Sequence, residues 1–159
     1  MLEEPEKMIS IRYALWSAAA GALIPVMAVL NARLGKDLDE PLHAPVILFA
    51  VGLLASLVTS LGLTGTIPDL SKLATARPMD FVGGLIVAFY VISVTLLAPR
   101  FGVANVILFA MVAQIVCATV INHFGLFDSM ARPVNLVRLG GLVLLLVGLC
   151  ITQLENINS

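Results

Sequence analysis

Residues 81–99 read FVGGLIVAFYVISVTLLAP, and this stretch decides the fold. No Asp, Glu, Lys or Arg interrupts it, and about 18–20 residues without charge are enough for a helix to cross the hydrocarbon of a bilayer. A membrane strand needs only about half that length, so the run excludes β-structure. Four further charge-free runs flank it: Tyr13 to Ala32, Pro41 to Pro68, Phe101 to Phe127, and Leu139 to Leu154. The last reaches back to Val134 if Arg138 snorkels to the interface. Trimming at Gly, Pro and charged residues predicts helices near Ile11–Leu34, Leu42–Leu63, Asp80–Ala98, Val103–Phe124 and Val134–Leu154. The expectation is an all-α integral membrane protein. It has a short cytoplasmic-side tail (1–10), a single five-helix transmembrane domain (11–154) and a second short tail (155–159).

Composition agrees. The chain is 60% hydrophobic before its 12 glycines are counted and 12% charged, whereas soluble domains run about 45–50% apolar with glycine included and about 25% charged. With a mean hydropathy of +1.04 too few polar residues remain to cover the outside, so the exterior must meet lipid. The net charge of −1 provides no basic field for nucleic acid. Cys117 and Cys150 lie inside apolar runs as small hydrophobes, and no disulfide framework is readable. Glu3, Glu4 and Glu6 against a single Lys7 lack the basic start of a secretory signal, so the first helix is expected to stay in the mature protein. The connectors 35–41, 64–79, 99–102 and 125–133 leave no room for an extramembrane domain.

Basic residues set orientation. Six lie on the N-terminal side of the predicted membrane (Lys7, Arg12, Lys72, Arg77, Arg132, Arg138) and three on the other (Arg33, Lys36, Arg100). The bias predicts the N-terminus inside and the C-terminus outside, yet a ratio of two to one leaves room for copies inserted the opposite way.

No carboxylate lies at membrane depth, which removes the usual proton carrier of an antiporter, paired-carboxylate catalysis, and most metal sites. His43 and His123 have no ligand spacing around them. No catalytic residue, metal or cofactor is therefore expected, and the chain does not read as an enzyme. What remains at depth is neutral and polar. Tyr90 and Gln114 sit mid-helix in the third and fourth spans, where they either line a solute cavity or bond a neighbouring helix. Pro25 frees the carbonyl of Gly21 and is expected to kink the first helix, as transport folds do near the midplane, unless a neighbour satisfies that carbonyl. Asn31 and Arg33 follow. Arg33 either snorkels at the helix end or joins Arg100 in drawing an anionic solute to one mouth. Asn31, Trp16 and Ser93 complete the candidate solute contacts, with Tyr90 and Gln114. Trp16 alternatively belongs to an aromatic belt. His123 is the candidate for a pH response, or a plain interfacial histidine. Gly52, Ser56 and Ser60, at spacing four, form a small face for helix packing.

Several segments carry a resemblance. Pro25–Gly35 (PVMAVLNARLG), Gly83–Gly102 (GGLIVAFYVISVTLLAPRFG), Ala113–Gly125 (AQIVCATVINHFG) and Arg138–Gly148 (RLGGLVLLLVG) together resemble the YdcZ-like family of short five-helix drug/metabolite transporters. The resemblance covers the chain from first helix to last. It departs from the family at Met27, Leu48, Ala113 and Asn122, where the family often has Gln, Ser, Gly and Asp. It implies a multi-pass protein of the bacterial inner membrane that moves a small solute.

A five-helix chain is half of a ten-helix inverted-repeat transporter, because its termini lie on opposite sides and two tandem copies are automatically inverted. Alternating access pairs two such halves. The expected carrier or facilitator is therefore a dimer, either an antiparallel homodimer of dual topology or a heterodimer with an inverted paralogue, whose cavity draws on helices 1 to 4. The alternative is an accessory membrane subunit that packs against a partner protein and transports nothing itself.

Overall fold

The computed structural model describes residues 3–129 and 131–157, and five long helices dominate them: α1 Glu3–Asp37, α2 His43–Thr64, α3 Val82–Phe101, α4 Val103–Phe124 and α5 Leu136–Ile157. All five are long and apolar enough to cross a membrane, as the charge-free runs predict. The chain divides into two compact units, Met1–Val103 and Ala104–Ser159.

In the first unit α1 packs against α3 and α2, and α2 against α3. The contact faces are built from small residues: Ala28 in α1, Ala44 at the start of α2 and Ala98 in α3 are all buried. Without a hydrophobic drive between helices in lipid, close backbone approach and polar contacts hold them together. The tightest approach is at Gly35, where a Cβ would come within 2.9 Å of the Pro41 Cα. The chain thus folds back on the last turn of α1, and only glycine fits there.

Local chemistry explains where the ends differ from the trimmed runs. α1 continues as one helix through Pro25 and extends beyond Ile11 and Leu34 at its two ends. α3 does not stop at Ala98: Pro99 lies inside its last turn, where one lost ladder bond is tolerated, and the stop falls instead at Gly102, whose φ of 85° ends the helix as its N–H donates to the Ala98 carbonyl at 3.1 Å. α5 starts at Leu136 rather than Val134 because Asn135 caps it, its Oδ1 accepting the Arg138 N–H at 2.8 Å. Gly65, at φ 68°, closes α2.

The α2–α3 connector forms two 3-10 turns, Leu70–Thr75 and Pro78–Phe81. Asp69 opens the first. Its Oδ1 accepts the Ser71 hydroxyl at 2.6 Å and the Ser71 N–H at 3.0 Å, and these two bonds, the hydroxyl's foremost, hold the carboxyl below its ordinary value of 3.8. Asp80 opens the second by accepting the Arg77 N–H.

The second unit is the α4–α5 hairpin. Gln153 Nε2 donates to Asn105 Oδ1 at 3.4 Å, and Arg138 Nη2 to Thr119 Oγ1 at 3.5 Å, so polar contacts bridge the two helices near both ends. At the turn the Arg132 N–H meets the Asn122 carbonyl at 2.7 Å, and the Val134 N–H donates to Nδ1 of His123 at 3.1 Å.

Candidate functional site

Asn31 is the candidate contact that the structure buries most completely, with 4% of its surface exposed. Its Nδ2 donates to Oγ1 of Thr95, and that hydroxyl donates in turn to the Val91 carbonyl at 2.8 Å. The bond ties α1 to α3. It also satisfies an amide that would otherwise be stranded in an apolar interior. Pro99 lies one turn after Thr95 and cannot donate to its carbonyl, so polar capacity concentrates at this end of α3.

Two cavities flank this end of α1. The larger, about 410 Å³, is a groove between α1 and α2 lined by apolar side chains including Leu30, Ile47 and Val51, with Asn31 among them. Met27 and Leu48 line the same groove. The smaller cavity, about 230 Å³, lies where α1 and α3 end, and Arg33, Lys36, Ala98 and Pro99 contribute to it. Arg33 Nε stands 4.0 Å from Asp37, a loose and exposed ion pair. Arg100 is exposed and does not line this cavity; the cation accompanying Arg33 is Lys36. Thr95 and Lys36 are the residues that sequence reasoning missed. Lys36 had a visible signal, its spacing of three from Arg33, which puts both on one helix face.

The other candidates line neither cavity. Tyr90 and Ser93 are half-buried on α3, and Trp16 on α1 is exposed. Gln114, midway along α4, is exposed, and among the described residues its amide has no hydrogen-bond partner. Gly21 and Gly52 face open space, and Ser56 bonds back to the Gly52 carbonyl at 2.8 Å, with Ser60 on the same helix. His123 packs edge-on against Phe124 while accepting from Val134. Among the described residues no group of His, Cys, Asp and Glu could hold a metal.

No curated protein and no solved structure matches the chain. A family does: the one described as "Putative inner membrane exporter, YdcZ" matches residues 12–151, which take in α2, α3 and α4 whole and most of α1 and α5. Five helices long and apolar enough to span the bilayer, together with this match, make the chain a multi-pass inner-membrane protein of the transport class, and it belongs to the YdcZ family.

Proposed function

We propose that the chain moves a small metabolite or drug-like solute outward across the inner membrane by alternating access, working as an antiparallel dimer or with an inverted paralogue. One observation carries the reading: the exposed amide of Gln114 at the middle of α4, unpartnered among the described residues. An unsatisfied polar group facing hydrocarbon costs several kcal/mol, and a chain this apolar has every alternative available at that position. A second copy or a bound solute supplies the missing partner. The hydroxyl of Tyr90, a half-buried residue midway along α3, has no hydrogen-bond partner among the described residues either, and it serves the same role.

The test is Gln114→Leu, with Tyr90→Phe beside it, in cells challenged with a panel of drug-like compounds. Membrane levels should be unchanged while export falls by about tenfold, the worth of one buried polar contact. Unchanged export would remove Gln114 from the route.

The accessory-subunit reading is favoured by a different feature. Open space lies beside Gly52 in α2 and beside Gly140, Gly141 and Gly148 in α5, which suits close approach of another helix. A packing subunit, which has no export of its own, loses assembly with its partner when Gly52 or Gly141 is replaced by leucine.

A further inference from the structure

We propose that Arg33 and Lys36 form a binding site for the oxyanion head of an amphiphilic acid, a carboxylate or phosphate carried on a small apolar body. The proposal deepens the transport reading by naming the solute's class.

The chemistry of the cavity where α1 and α3 end carries it. Val29, Ala32, Ala98 and Val103 supply apolar walls, Arg33 and Lys36 supply two cations, and no carboxylate lines it. Like charges three residues apart on one helix repel, and an anion held between them relieves that repulsion. Arg33 has only the loose contact with Asp37 at 4.0 Å. Among the described residues the ammonium of Lys36 has no hydrogen bond or ion pair. The nearby acid Glu40 is turned away to the Leu42 N–H. The donors of both cations are therefore available, and a guanidinium beside an ammonium suits an oxyanion better than either alone. A helix C-terminus explains one cation by its dipole; it does not explain two of them lining the same apolar cavity. The size, about 230 Å³, admits a head group and a short apolar body, not a large drug. Two sources present this chemistry at a membrane surface: a free organic acid and the head of an anionic phospholipid.

The experiment uses the full chain in nanodiscs of neutral phosphatidylcholine. Benzoate is titrated by calorimetry, and phosphatidylglycerol retention is read by native mass spectrometry after mixed reconstitution. Three variants are compared: Arg33→Gln with Lys36→Gln, the charge-keeping Arg33→Lys with Lys36→Arg, and Arg100→Gln. Circular dichroism confirms equal helix content. The expected result is benzoate binding that weakens by about tenfold or more in the double glutamine variant and survives in the other two. Phosphatidylglycerol retention with the same dependence on variant, in place of benzoate binding, supports the site and assigns it to lipid. Binding that ignores the glutamine pair, or that falls equally with Arg100→Gln, overturns the site and reduces it to a general surface field. Export is scored separately, so normal export without such binding sinks this proposal and leaves the transport reading standing.

Discussion

Thr95 accepts the Asn31 amide with the same oxygen that donates to the Val91 carbonyl, so its replacement by isosteric valine strands an amide and not merely a hydroxyl. Thr95→Val should destabilise by about 1–3 kcal/mol, the cost of an orphaned buried polar group. Adding Asn31→Leu should recover much of the loss, since removing both partners is nearly neutral. Equilibrium unfolding in mixed micelles, run as a double-mutant cycle, measures the difference; strictly additive losses would mean the two side chains do not communicate. Asp69 offers a second check, outside the membrane. Ser71 holds its carboxyl below 3.8. The folded value is the depressed one, so the turn is favoured above pH 3.8 and loses that support as the pH falls through the folded value. Ser71→Ala should bring the carboxyl back up toward 3.8, which a carboxyl-carbon NMR titration reads directly.

At the scale of the helices, glycine has two opposite meanings. Gly35 meets the Pro41 backbone at 2.9 Å from a built Cβ, whereas Gly21 meets nothing within 4 Å. Gly35→Ala should therefore destabilise by forcing the α1–α2 turn open. Gly21→Ala should leave stability unchanged or raise it by up to about 1 kcal/mol through helix propensity; thermal unfolding of the two purified variants separates them. Both glycines look alike in the sequence, and this marks the limit of what was legible there. The five spans could be read because a charge-free run is a local property and the bilayer fixes its length. The end of α3 could not, because Pro99 is a breaker in isolation and harmless in a last turn that Gly102 was going to close. The start of α5 was misplaced for a related reason: Asn135 caps it, and the Val134 N–H goes to His123, eleven residues back. Asn31 was legible as an anomaly, a polar residue among apolar ones. Its partner lies 64 residues away, and no periodicity within α1 points to it.

For the molecule as a whole, the proposed transport reading has the five candidate spans among the described residues cross the bilayer in turn, so that Arg12 and Leu154 fall on opposite sides. The antiparallel pair then requires both orientations to coexist. Single cysteines at Ser71 and Ser159, in a background lacking Cys117 and Cys150, should each react in part with an impermeant reagent added to intact cells. Labelling of Ser159 alone would establish one orientation and leave an inverted paralogue as the second half. Orientation also bears on α1. Between Arg12 and Arg33 lie the twenty uncharged residues Tyr13 to Ala32, and at about 1.5 Å per residue they measure about 30 Å, the thickness of a typical hydrocarbon core. The uncharged stretch of α1 is thus a ruler with a guanidinium at each end, matched to the bilayer with no slack. A thicker membrane pulls one guanidinium below the headgroups or thins around the protein, and a thinner one tilts the rod. The depth at which Arg33 and Lys36 present their charges is then set by the lipid as much as by the fold.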